Sequence, residues 1–194
     1  MARRVFFSFH YQDVLDFRAN VVRKHWVTKP DRSAAGFFDA SIWEAAKKTG
    51  PIALKRLIHS GLENTSVTCV LAGSHTYARP WVRYELLRSF RKGSKLLTVH
   101  INSIKGRDGL TKVKGPNPLS YLAVRYSATG DTATLLEYAD GKWTNYTEID
   151  GSATYRTGGV DLKYRGKAFQ LASLYSERDW VADDGYNNFA AWVG

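Results

Sequence analysis

The 194-residue sequence predicts an α/β protein built on a doubly wound parallel sheet, and three observations carry the prediction. Apolar runs recur at Val5–Phe9, Ser66–Ala72 and Lys95–Ile101, each short and rich in β-branched or aromatic residues. Stretches with helical spacing separate them, giving the strand–helix alternation of right-handed crossovers. After Ser103 the character changes to a Lys/Gly-rich loop followed by short strand-like segments. The chain therefore divides into an α/β core over 1–102 and an extension over 103–194, packed on the core as one domain.

In order, Arg4–Phe9 reads as a buried strand. Asp13 caps a helix whose inward positions, Val14, Phe17, Val21 and Val22, carry it to about Trp26. Thr28–Ala35 is a polar loop leading to a brief strand at Gly36–Asp39, then a segment from Ser41 to Lys48. Pro51 opens a helix reaching Leu62, where proline is tolerated in the first turn. Ser66–Ala72 is apolar enough to be central in a parallel sheet. Pro80 opens the next helix and Gly93 closes it. In the extension, Leu122–Tyr126 and Thr134–Tyr138 read as strands, Asp140-Gly141 as a hairpin turn before Lys142–Thr144, and Asp184–Val193 as a terminal helix.

Composition narrows the function classes. Net charge is +10, and Arg79–Arg125 holds eleven Lys or Arg against two acids, Glu85 and Asp108. Such a segment attracts anions, either a phosphate-bearing small molecule or a nucleic acid. It lacks the exposed aromatics interleaved with basic residues that mark a nucleic-acid binder, so a small anionic ligand or plain solubility is favoured. No apolar run approaches the roughly 18 residues that span a bilayer. Met1–His10 lacks the length and cleavage site of a signal peptide. Cys69 is the single cysteine, and the five histidines never fall at metal-ligand spacing, so no disulfide or metal site is expected. A cytoplasmic protein is the expectation. No G-x-G-x-x-G follows the first strand and no P-loop motif occurs.

The helix Trp81–Arg91 is the most informative stretch. Trp81 and Glu85 are spaced i,i+4 and share a face, with Glu85 about 60° around from the inward Val82. A carboxylate at the edge of a buried surface, with a flat ring beside it, suits cleavage at a sugar's anomeric carbon. The plainer reading pairs Glu85 with Arg83 or Arg88 on a solvated face. In an open parallel sheet ligands bind beyond the carboxyl ends of the strands. That places Ser8, His10, Asp39, Glu44, Ser74, Trp81 and Glu85 around one crevice.

These residues fall in a pattern that resembles the Toll/interleukin-1 receptor (TIR) domain family. Val5-Phe6-Phe7-Ser8-Phe9 matches its first box, Phe37-Phe38-Asp39 with Trp43-Glu44-Ala45 its second, and Trp81-Val82-x-x-Glu85 with Gly93-x-Lys95 its third. With the closing Asp179–Asn187 included, the whole chain is similar to the bacterial TIR-like proteins of the Thoeris anti-phage system, its ThsB component. The resemblance implies a flavodoxin-like fold and an enzyme that consumes NAD+ as substrate, with no separate cofactor. It breaks the nicotinamide–ribose bond and closes a cyclic ADP-ribose isomer, a diffusible signal to a separate effector protein, after a phage-derived trigger. It also implies roles: Glu85 catalytic, Trp81 stacking on nicotinamide, Phe9 and His10 lining the pocket, and Asp39 and Glu44 as second-box acids. Phe6 and Tyr84 join Trp81 as candidates for excluding water, and Ser8 and Ser74 as substrate contacts. A non-catalytic protein-interaction module is the alternative, homo-oligomerisation is compatible with either, and nucleic acid and membrane are not expected partners. Thr28–Gly36 departs from the glycine-containing loop by which many TIR domains stack, and His10 stands where Arg is common.

Overall fold

The computed structural model describes residues 3–36 and 40–194, the side chains of Arg3 and of 40–44 excepted. The core half runs β1 (Arg3–Phe9), α1 (Tyr11–Leu15), α2 (Arg18–Val27), β2 (Arg32–Ala35), α3 (Ala40–Thr49), α4 (Pro51–Leu62), β3 (Val67–Ala72), α5 (Pro80–Lys92) and β4 (Lys95–His100). The second half runs β5 (Leu122–Tyr126), β6 (Thr132–Ala139), β7 (Lys142–Asn145), β8 (Thr154–Arg156), β9 (Ala168–Gln170), β10 (Ser176–Asp179) and α6 (Gly185–Trp192).

Five strands form a parallel sheet in the order β2-β1-β3-β4-β10, the flavodoxin-like arrangement expected. β3 is buried along its whole length, as a central strand covered on both faces must be. One face carries Val5, Phe7, Cys69, Leu71, Leu97 and Val99 and packs on α2 and α6 through Val22, Trp26 and Phe189. The other carries Phe6, Val70 and Leu96 and packs on α4 and α5 through Ile58, Val82 and Leu86. A second, antiparallel sheet, β7-β6-β5-β9 with β8 also on β6, covers the outside of α5 with Leu122, Val124 and Leu135. α5 is thus enclosed between two sheets, and its Val82, Tyr84, Glu85, Leu86, Leu87 and Ser89 are all buried.

Several local expectations change. The helix from Asp13 to Trp26 is two helices, because Phe17 turns into the left-handed region at φ 64° and stands 51% exposed. Asp13 lies inside α1 and is buried, so it is no N-cap. A strand stands at Arg32–Ala35, where a loop was expected, with Gly36 beyond its end; the rest of the expected strand, Phe37–Asp39, lies outside the described residues. β8, β9 and β10 are additions that the sequence did not suggest. The hairpin at Asp140-Gly141 matches expectation, with positive φ at both residues as a two-residue turn requires.

Gly36 follows β2 at φ +87°, and a Cβ there would stand 2.1 Å from the carbonyl oxygen of Phe7. Neither the backbone nor the space admits a side chain. Gly36→Ala is expected to cost more than the roughly 1–2 kcal/mol of a left-handed residue alone, because backbone must also move. An unchanged thermal midpoint would count against this account.

Candidate functional site

Beyond the carboxyl end of β1 lies a cavity of about 330 Å³. Its lining comes from the end of β1 and the residues after it (Phe9, His10, Tyr11), from Gly36 and Lys47, and from the start of α5 (Arg79, Trp81, Glu85). β1 and α5 meet here because strand alternation sends Phe6 and Ser8 toward the helix and Phe7 toward α2. At the strand's end there is no further side chain to bury, and Ser8 reaches Glu85 instead.

Ser8 Oγ donates to Glu85 Oε2 at 2.5 Å, and both residues are buried. Among the described residues Ser8 is the hydrogen-bond partner of the Glu85 carboxyl. The surface ion pair does not form: Arg83 is 3.0 Å from Glu137, on the second sheet. Burial pushes the Glu85 carboxyl up to about 8, and the Ser8 hydroxyl pulls it partway back. The backbone of this turn is fixed too. Thr68 Oγ1 donates to Ser89 Oγ at 2.8 Å, and Ser89 Oγ donates to the Glu85 carbonyl at 2.7 Å. A central strand therefore holds the turn of α5 that carries the carboxylate.

Cations gather at the mouth. Arg79 is exposed on the rim and Lys47 lines the wall. His10, half-buried, is held below the ordinary histidine range, first by burial and then by Arg79, His75 and Lys112. It is the neutral imidazole at neutral pH, able to donate and accept. A buried acid inside, a half-buried indole beside it and cations outside suit a ligand that is cationic at one end and anionic along its length.

The expected residues divide. Phe9, His10, Trp81 and Glu85 line the cavity, and Ser8 touches Glu85 from behind. Phe6 does not line it: fully buried, it packs between the sheet and α5. Tyr84 points away, its hydroxyl 2.7 Å from His59 Nε2 and its ring buried among residues facing α4 and the second sheet. Ser74 donates to the Val113 carbonyl at 2.6 Å, tying down the loop after β4 rather than facing the cavity. Asp39 lies outside the described residues, and Glu44 is placed by its backbone in α3. Tyr11, Gly36, Lys47 and Arg79 were missed. The Arg79-Pro80 step opening α5 was a signal within reach, whereas the close approach of Gly36 to the Phe7 carbonyl shows only in the fold.

Among the described residues no group of side chains is arranged to hold a metal ion, and no helix is long and apolar enough to cross a membrane.

Comparison with known proteins identifies the family. The family profile described as "Thoeris protein ThsB, TIR-like domain" matches residues 6–105. A protein of Bacillus cereus (strain MSX-D12), named "Putative cyclic ADP-D-ribose synthase ThsB1", is 58% identical over 194 residues, covering 100% of both chains.

Proposed function

The chain belongs to the Thoeris ThsB TIR-like family, and on that premise we propose that it cleaves NAD+ and closes a cyclic ADP-ribose isomer from the remainder. The single observation that carries this reading is Glu85: a buried carboxyl, free of any ion pair among the described residues, at the wall of a cavity that also holds Trp81.

The chemistry needs little more. Nicotinamide is bound to the ribose as a cation and leaves as a neutral ring, taking the bonding electrons, so no general acid is required. The sugar carbon becomes oxocarbenium-like. The nicotinamide cation bound beside Glu85 favours its ionised form, and that carboxylate stabilises the charge as it develops, an effect that burial strengthens. Trp81 supplies a face for the nicotinamide. Lys47, Arg79 and the nearby Lys112 stand where the pyrophosphate would run. Closure forms a bond from a hydroxyl of the adenine-side ribose to the same carbon and releases that hydroxyl's proton. Glu85, with its carboxyl near 8, is suited to receive it.

A cyclic product of this kind carries a signal to a separate effector, with phage infection as the trigger. Mass spectrometry of small molecules in cells carrying the protein, sampled before and after infection, tests the reading. The expected species has the mass of ADP-ribose less one water and appears after infection. ADP-ribose alone would make the protein a hydrolase. Neither species, with protection intact, would leave an interaction module.

The Ser8 hydrogen bond sets a second expectation. Ser8→Ala removes the group that draws the Glu85 carboxyl down, so its ionisation moves further up. A hydrogen bond to a charged group is worth about 1.5–3 kcal/mol, or about one to two pH units. The rising limb of kcat/KM against pH should shift alkaline by that amount. A loss of rate with the limb unmoved would reject this role for Ser8.

A further inference from the structure

A second recess opens at the other end of α5, about 12 Å along the axis from Glu85 at 1.5 Å per residue. It is an open groove of about 620 Å³ whose walls include Arg91, Tyr126, Tyr155, Arg156, Gly158 and Tyr175. It shares no residue with the first cavity.

Three features distinguish it from ordinary surface. First, three half-buried tyrosines converge: burial raises all three hydroxyls, and Tyr126 further raises those of Tyr155 and Tyr175. Among the described residues none of these hydroxyls has a hydrogen-bond partner in the protein. Second, the two arginines differ. Arg91 is paired with Asp150 and lies 5.2 Å over the Tyr155 ring, so its charge is already answered and it braces the aromatic wall. Arg156 is exposed and has no ion pair among the described residues.

Third, the loop after Arg156 presents backbone donors. Thr157 Oγ1 donates to the Gly130 carbonyl at 2.5 Å and accepts from the Gly159 N–H at 3.2 Å, which fixes the turn. The N–H groups of Gly158 and Val160 are left without a partner among the described residues. Gly158 has no positive φ, and a Cβ there would meet nothing within 4 Å. Nothing in the protein's own packing calls for glycine at 158, whereas close approach of a ligand to the backbone would.

Aromatic faces hold a planar ring, and a guanidinium with adjacent backbone N–H groups holds a phosphate. We propose that this groove is a second ligand site that takes a mononucleotide, its base against Tyr126, Tyr155 and Tyr175 and its phosphate at Arg156 and the Gly158–Val160 loop. The site is independent of the NAD+ reaction at Glu85.

The test is calorimetric titration of the full chain with AMP. Four proteins are compared: the parent, Trp81→Ala to impair the first cavity, and Arg156→Glu and Gly158→Asp to oppose phosphate in the groove. Circular dichroism confirms that each is folded, and photolabelling with 8-azido-AMP maps the contact. Binding is expected to persist in Trp81→Ala and to weaken at least tenfold in Arg156→Glu and Gly158→Asp, with label on Tyr126, Tyr155 or Tyr175. The proposal is overturned if AMP gives no heat, or if binding disappears in Trp81→Ala while the groove variants bind normally. It is equally overturned if an adenosine hexanucleotide binds far more tightly than AMP with a steep salt dependence, which would make the ligand a strand.

Discussion

Glu85→Gln is expected to abolish detectable NAD+ turnover and, at the same time, to make the protein more stable above pH 8. Removing one preorganised electrostatic group from a buried site costs about 10²–10³-fold in rate, and in the proposed reaction the same group also takes the proton on closure. The stability effect runs the other way. The carboxyl titrates at about 8 when folded, against 4.5 for a glutamate exposed to water. Between those values the folded chain keeps a proton that the unfolded chain has released. Stability is therefore lost as pH rises through this window, at up to about 1.4 kcal/mol per unit. Glutamine carries no charge and still accepts from Ser8 Oγ. At pH 5 the two proteins should melt together, and at pH 9 the variant should melt several degrees higher. Equal midpoints at pH 9 would show that the carboxyl is not charged at a cost inside this fold.

Arg18→Ala is expected to lower the melting midpoint by about 10 °C, taking about 3–5 kcal/mol for breaking a buried charged network and about 2–4 °C per kcal/mol for a chain of this size. Arg18 is 1% exposed. Its Nε donates to the Ile104 carbonyl at 3.0 Å, one terminal nitrogen to the Leu110 carbonyl at 2.6 Å and the other to Asp16 Oδ2 at 3.1 Å. Gly106 lies so close to the guanidinium that a Cβ would stand 2.6 Å from it. One planar group thus gathers the Lys-rich loop after β4 onto α2. Arg18→Lys should not restore the midpoint, since a single ammonium cannot meet three acceptors in a fork. Limited proteolysis within 103–112 should accelerate in both variants, and an unchanged cleavage rate would remove the loop from this account.

Much of the core was legible because its strands are short apolar runs and α5 has proline at one end and glycine at the other. Glu85 and Trp81 were legible because helical spacing puts them on one face. Phe6 was misplaced for a reason of parity: it shares the Ser8 face of β1, and everything on that face short of the strand's end lies beneath α5. Tyr84 was misplaced because the antiparallel sheet that buries it against α5 left only weak marks in the sequence. β10 was invisible because Ser176-Glu177-Arg178-Asp179 is polar throughout, as an edge strand permits. Phe17 was read inward because its spacing fits a helix, and no pattern in the neighbouring residues announces a left-handed turn.

The sheet's far edge has a bearing on how the protein comes into being. β4 is flanked by β10, and the layer beneath is closed by Trp180, Phe189 and Val193, which share a cluster with Phe7 and Trp26. During synthesis the ribosome delivers the first of these partners long before the last. Until Asp179 has emerged β4 remains an open edge, and until Val193 has emerged that layer is not fully covered. The TIR-like stretch is therefore translated early and completed late, and a ribosome that stalls before Ser176 would leave a chain that holds Glu85 but lacks a finished sheet.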